Sequence, residues 1–377
     1  MKIDKMIRKN IRLAEPLIKQ KDTIKILKTV LKSNYVNEGK LTRVFEKKIS
    51  KLLNVKYVLT CTSGTIAIFL SLKAIGVKSK DEVLIPNLTF PATANAVSLT
   101  GAKPILVDIN KKNLLFDLKE LNKKINKKTK AIIPVHISGR GSNIKEVLKL
   151  AKLKKIHVIE DAAEAFMSKL NGKYYGTFGS VGCFSFAPNK IFTTGQGGIV
   201  VTNDKKIFKE LSKLKDQGRI GPTTGGEDNY EKVGYNFKFT NLQSALGLSQ
   251  LKDIRWRVSR LKDHYKYYIK NIKTSENFRF INFNLKKGEV PLWTDIFCKK
   301  RNKLFNFLKA KNIECRYFWK PINCCKPYKK SFRNLENSKE LSGKLMWLPS
   351  SLSLKDKDLK KICNLINKFN EKNFNNG

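Results

Sequence analysis

The sequence predicts an α/β fold, a mostly parallel sheet with helices on both faces, followed by a smaller α+β unit. Two observations predict it. Short apolar runs of strand length alternate with helical stretches between residues 55 and 159, the pattern of a parallel sheet covered on both sides. From about Arg257 the composition shifts to Lys, Asn and Phe, which marks a second unit. The expected division is a large domain over 1–255, with a helical segment at its start, and a small domain over 256–377.

In chain order, residues 1–35 read as one or two helices, with Ile24, Leu27, Val30 and Leu31 at helical spacing. Gly39 interrupts, and 41–53 reads as another helix. Residues 55–60 form a short strand. Thr62-Ser63-Gly64-Thr65 then precedes a helical apolar run over 66–75. Hydroxyls and a glycine at a helix start serve as an N-cap or as an anion site, where free N–H groups and the helix dipole hold a phosphate. The two roles are compatible. Strand 83–85 leads through a loop carrying Phe90 to helix 92–99. Strands 104–108 and 131–135, helix 144–153 and strand 156–159 continue the alternation.

In such sheets ligands bind beyond the carboxyl ends of the strands. Asp161 lies at such an end. It is either the N-cap of a capping box with Glu164 three residues on, or a carboxylate at the ligand edge. Next comes the stretch from Ser185 to Gly198, centred on Lys190. Apolar runs at 181–186 and 199–202 flank it, and Pro188 argues against a helix. Lys190 therefore belongs on a loop between two buried strands. It is either a surface lysine or a desolvated one, whose lowered pKa suits attack on a carbonyl.

Residues 212–234 are glycine-rich and weakly patterned, and read as a mobile loop. Gly234-Tyr235-Asn236 leads into a helix over 240–251 that continues past Ile254 towards Tyr268. In the small domain, helices at 302–310 and 355–370 and strands near 293–298 and 315–318 are expected.

The chain has 377 residues, with 76 Lys and Arg against 31 Asp and Glu, a formal net charge of +45. Such a charge suits a polyanion. The lysines are spread along the whole length, with no basic block and no recognition motif. No specific nucleic-acid partner is expected, only attraction for small anionic substrates. The longest apolar runs are too short to span a membrane, and residues 1–20 lack the apolar core of a secretory signal. Seven cysteines, with no C-x-x-C pair, argue against a metal site or a disulfide framework and fit a reducing cytoplasm.

Together, Thr62-Ser63-Gly64-Thr65, Leu88-Thr89-Phe90, Glu160-Asp161-Ala162-Ala163, Ser185-Phe186 with Lys190, Gly195-x-Gly197-Gly198 and Gly234-Tyr235-Asn236 carry a resemblance. The chain is similar to the nucleotide-sugar aminotransferases of the DegT/DnrJ/StrS group, from about Leu13 to Pro349. These are pyridoxal-phosphate enzymes of the aspartate-aminotransferase type (fold type I). The segments 160–165 and 234–251 look most like perosamine synthases, which act on a 4-keto-6-deoxy sugar.

The resemblance implies pyridoxal 5′-phosphate as cofactor and a role for each matched residue. Lys190 would carry the cofactor and shuttle a proton, and Asp161 would pair with the pyridine nitrogen. Phe90 would stack on the ring, while Gly64, Thr65 and Ser185 would hold the phosphate. Asn236 would reach the phosphate of a neighbouring subunit, so that a homodimer shares its active sites. The substrates would be an amino-acid donor, glutamate by expectation, and a keto sugar on a nucleotide diphosphate. Arg219 and Arg316 are candidates for the diphosphate, or else ordinary surface arginines.

Two positions depart from the group's pattern. The resemblance also implies that Glu164 binds the cofactor, but many members have Gln or His there, facing the cofactor's phenolic oxygen, so its role is open. Many have Glu where Gln196 stands, and nothing in the sequence accounts for that change. Two other functions compete with amino transfer. Related sugar dehydratases carry His at the lysine position, which Lys190 speaks against. A non-catalytic regulatory homologue would have no need of both Lys190 and Asp161.

Overall fold

The computed structural model describes residues 10–221, 228–331 and 333–374. Among them, seven strands form the main sheet: β1 Tyr57–Cys61, β2 Glu82–Pro86, β3 Lys103–Val107, β4 Thr129–Ile132, β5 His157–Asp161, β6 Val181–Ser185 and β7 Gly198–Thr202. Their order is β1-β7-β6-β5-β4-β2-β3. The pairs β3–β2, β2–β4, β4–β5 and β5–β6 are parallel. β7 is antiparallel to both β6 and β1. Two antiparallel steps restore direction, so β1 runs with β6. The carboxyl ends of β1, β2, β5 and β6 therefore share one edge.

Helices cover both faces. α1 (Gln20–Lys32) and α2 (Lys40–Leu53) open the chain. α2 buries Phe45, Ile49 and Leu53 while Lys47, Lys48 and Lys51 stay in water. Burial of each such apolar side chain is worth about 2 kcal/mol. α3 (Gly64–Ala74) is apolar all round and is buried accordingly, with Ala67, Ile68, Leu70 and Leu72 in the core. α4 (Ala92–Leu99), α5 (Leu118–Lys124), α6 (Ile144–Leu153) and α7 (Lys205–Lys215) complete the alternation.

α8 (Asn241–Leu251) starts on a capping box between Thr240 and Gln243. α9 (Ile254–Asn271) follows after a break at Lys252 and Asp253. One continuous helix was the expectation. The apolar period runs on across the break, so the pattern does not mark it.

The C-terminal part contains α10 (Arg301–Ala310), α11 (Glu336–Leu341) and α12 (Asp356–Phe374). Its antiparallel sheet comprises β8 (Phe278–Phe280), β9 (Thr294–Cys298), β10 (Arg316–Tyr317) and β11 (Leu345–Leu348), in the order β8-β9-β11-β10. Alternating strand residues face opposite ways. Ile296, Met346 and Leu348 pack with Leu304, Ile362 and Ile366 in a local core. Phe297, Leu345 and Trp347 instead join the core beneath the main sheet. Asn87, just past β2, exchanges amide hydrogen bonds with Asn323: Asn87 Nδ2 to Asn323 Oδ1 at 3.0 Å, Asn323 N to Asn87 Oδ1 at 3.1 Å.

Several elements depart from the expectations. α7 occupies the start of the segment read as a loop, opened by Asp204, whose carboxylate accepts from the N–H groups of Lys206 and Ile207. The rest of that segment includes a two-residue pairing of Arg219–Ile220 with Asn229–Tyr230. Residues 222–227 lie outside the described residues, as do residues 1–9 of the expected N-terminal helices. Residues 11–19 carry no helix, and Ile11 makes a bridge to Ile313. α5, α11, β8 and β11 were not anticipated. Among the described residues no helix is long and apolar enough to cross a membrane.

Candidate active site

Four strand ends bring the matched residues to one edge. At the end of β1, Ser63 caps α3, its hydroxyl accepting from the Ile66 N–H at 3.2 Å. Gly64 and Thr65 are then the first two helical residues, whose N–H groups have no partner inside the helix. A Cβ on Gly64 would stand 2.9 Å from the Ser185 Cβ, and one on Gly198 would stand 2.4 Å from the Ser63 carbonyl oxygen. Only glycines let the ends of β6 and β7 approach this helix so closely. The N-cap is therefore present, and it leaves the first N–H groups of α3 without a partner inside the helix, with Ser185 beside them.

Asp161 ends β5. Turns, not a helix, follow over residues 162–167, so the capping-box alternative for Asp161 and Glu164 is excluded. The Thr93 hydroxyl, from α4, donates to Asp161 Oδ2 at 2.7 Å, and the Ala163 N–H donates to Oδ1 at 3.2 Å. Burial pushes the carboxyl above the ordinary range, and these donors together with the charge of Lys190 offset only part of that. Among the described residues Asp161 belongs to no ion pair. A buried acid without a cation at its side fits a protonated ring nitrogen.

Lys190 lies on the loop between β6 and β7. Its Nζ donates to Glu164 Oε1 at 3.3 Å, with side-chain exposures of 12% and 6%. The same Oε1 accepts the Trp293 indole N–H at 3.0 Å, and Oε2 accepts the Ser138 N–H at 2.9 Å. Glu164, Ser185 and Lys190 line one cavity with Leu292. The loop itself is held from outside. Gln250 of α8 donates to the Thr193 carbonyl at 2.7 Å and accepts its N–H at 3.2 Å. Arg257 of α9, fully buried, donates to the Ile191 carbonyl at 3.0 Å.

Phe90 leaves β2 at the same edge and is 50% exposed, free to meet a planar ring. Its own ring lies 5.7 Å from Trp319, which stands at 4.9 Å from Trp347. Trp347 stacks on Trp293 at 5.2 Å, so an aromatic row runs from Phe90 round to Glu164.

The other candidates lie apart. Asn236 is exposed, bridges to Asp216 through its backbone, and lines a cavity of about 1250 Å³ with Tyr35, Arg43, Lys215 and Lys238. Arg219 lines the same cavity, but its guanidinium is taken by Asp216 at 3.1 Å and Asp228 at 2.9 Å. Arg316 is exposed on β10, 5.7 Å from the Trp347 ring centroid. Gln196 gives its carbonyl to the Gln243 amide at 2.7 Å and to the Thr194 hydroxyl at 2.7 Å. Those bonds do not explain why Gln stands there.

Comparison with known proteins identifies the family. Residues 18–367 match the model of the DegT/DnrJ/EryC1/StrS aminotransferase family. The chain belongs to that family. Amino transfer with pyridoxal 5′-phosphate comes with the membership. The chain is 35% identical over 339 residues to a GDP-perosamine synthase of Escherichia coli O157:H7, covering 88% of this chain and 91% of that protein. To a GDP-perosamine synthase of Vibrio cholerae it is 33% identical over 357 residues, covering 92% and 95%. Among solved structures, Helicobacter pylori PseC, an aminotransferase involved in the biosynthesis of pseudoaminic acid, superposes with a TM-score of 0.90 at 26% identity. It covers 97% of this chain and 100% of that one.

Proposed function

We propose that this aminotransferase moves the amino group of glutamate to C4 of a 4-keto-6-deoxyhexose carried on a nucleotide diphosphate. The name GDP-perosamine synthase, borne by relatives at 35% and 33% identity, supports that sugar class and guanosine diphosphate as its carrier. The observation that carries the chemistry is the meeting of Lys190 and Glu164 at one strand edge with Asp161, a buried carboxylate that belongs to no ion pair among the described residues. Pyridoxal phosphate, when bound, supplies an electron sink that lets an amino group leave one carbon and join another.

The chain's residues do the rest. Lys190 Nζ carries the cofactor and moves the proton at the reacting carbon. Asp161 keeps a proton on the ring nitrogen. The Gly64 and Thr65 N–H groups and the Ser185 hydroxyl bind the phosphate, and Phe90 covers one ring face. Glu164 steadies the positive charge on Lys190. Asn236 serves the phosphate of a second subunit, which makes the unit a homodimer and explains why it stands apart from Lys190 within one chain. The division into 1–255 and 256–377 puts the cofactor residues on the large domain. Trp293 and Arg316 then come from the small one. The substrates are cytoplasmic metabolites, and we place the reaction there.

Incubating the purified protein with glutamate and GDP-linked 4-keto and 3-keto 6-deoxyhexoses tests this, with NMR of the product. Conversion of the 4-keto sugar to a C4 amine is expected. Efficient conversion of the 3-keto sugar alone would overturn the C4 assignment and leave the aminotransferase standing.

A further inference from the structure

Behind Glu164 lies a buried polar chain that the reaction as described leaves unused. Ser138 has φ +56°, a left-handed conformation uncommon for a residue with a Cβ. It is fully buried, and each of its three polar groups is committed. Its N–H donates to Glu164 Oε2 at 2.9 Å, its hydroxyl donates to Asp295 Oδ1 at 3.0 Å, and its carbonyl accepts the Leu292 N–H at 3.0 Å. Asp295, at the second position of β9, is buried and paired with the guanidinium of Arg140. Gly139 follows with φ +99°, and a Cβ there would stand 1.9 Å from the Val290 carbonyl oxygen. The segment 290–295 thus clamps the turn at Ser138 from one side and reaches Glu164 directly through Trp293.

We propose that Asp295 is a positioning residue for the reaction: through the Ser138 hydroxyl it holds the Ser138 N–H on Glu164, and so fixes the carboxylate that faces Lys190. Arg140 matches the charge of Asp295, so its effect on Lys190 is one of geometry and not of net field. Without the hydroxyl tether, only the Leu292 N–H on its carbonyl holds Ser138 from that side, and its N–H is less firmly fixed on Glu164. Glu164 then keeps only Trp293 and Lys190 as firm donors, and its negative charge is less well held. The inference rests on the reading that Glu164 and Lys190 belong to the reacting centre.

The test is the pH midpoint of the visible absorption band in the cofactor-loaded protein. Glu164→Gln, which removes the charge, is expected to lower that midpoint by about one unit. Ser138→Ala is expected to lower it in the same direction by less, to reduce kcat more than it raises KM, and to add no further shift when combined with Glu164→Gln. The paired change Asp295→Leu with Arg140→Met removes the tether without leaving a lone buried charge, and should behave as Ser138→Ala does. If Glu164→Gln moves the midpoint while the other variants do not, or if their shifts are the same in both backgrounds, the proposal is overturned. If Glu164→Gln itself leaves the midpoint in place, the underlying reading of Glu164 falls, and the proposal with it.

Discussion

The Thr93 hydroxyl donates to Asp161 Oδ2 at 2.7 Å, across 68 residues of sequence, and is the shortest bond made to that buried carboxylate. It partly offsets burial, which holds the acid above its ordinary range. An acid raised in the folded state binds protons the unfolded chain has released. Its contribution to stability is therefore lost as pH rises from the unfolded value of 3.8 through the folded one. In protein stripped of cofactor, Asp161→Asn removes this penalty and should raise Tm at pH 8. With cofactor and substrates present, the same variant should lose orders of magnitude in kcat/KM. A lower Tm in the stripped variant would contradict the account of Asp161.

Lys190→Ala should remove the wild-type visible band of the purified protein and abolish turnover. Its charge partner Glu164 then remains in a buried site without the ammonium, so a modest fall in Tm is expected as well. Turnover at the wild-type rate would sink the assignment of Lys190.

Asn236 is exposed and lines a different cavity from Lys190. Mixing Lys190→Ala with Asn236→Ala subunits, each nearly inactive alone, should restore part of the activity, because one hybrid site has both residues intact. Heterodimers shown to form, yet with no recovery, would mean that each site is built from one chain.

Arg219 and Arg316 should separate cleanly. Arg219 is already bound by two carboxylates, so Arg219→Ala should lower Tm by unpairing them and move KM little. Arg316 carries no ion pair among the described residues. Arg316→Ala should raise KM for the sugar nucleotide several-fold and leave that for glutamate unchanged. The opposite pattern would reassign the diphosphate contact to Arg219.

His264 on α9 is buried, neither ring nitrogen has a hydrogen-bond partner among the described residues, and burial pushes its pKa down to about 4 from 6.5. A histidine depressed in this way contributes stability that is complete above pH 6.5 and is lost as pH falls towards 4. The loss is on the order of 3 kcal/mol across that window. His264→Leu should flatten the acid limb of the Tm-versus-pH curve between those values. An unchanged limb would assign the acid sensitivity elsewhere.

The strands of the main sheet and most of its helices were legible because each is a short apolar run bounded by turn residues. Lys190 was legible for the same reason: a lysine between two such runs, with Pro188 and three glycines nearby, cannot sit in regular structure. The helix start at Gly64 was readable from its hydroxyls. Thr93, Ser138, Trp293 and Asp295 left no local sign. Each acts on a residue 26 to 157 positions away, and such pairings are made by the folding of the sheets onto each other. The strands β8 and β11 are three and four residues long, too short for a period to declare itself. The ambiguity at Asp161 was real, since a capping box and a ligand-edge carboxylate share one spelling. Only the turns after β5 decide between them.

Because Gln250 grips the Lys190 loop at Thr193 and Arg257 grips it at Ile191, the break at Lys252 and Asp253 parts two hands on one rope. A chain severed there would keep the whole main sheet, its cradle of glycines and the lysine itself on one fragment. The second grip and Trp293 would go to the other. Such a bisected protein would be silent until its halves met, and its activity would then report their reunion.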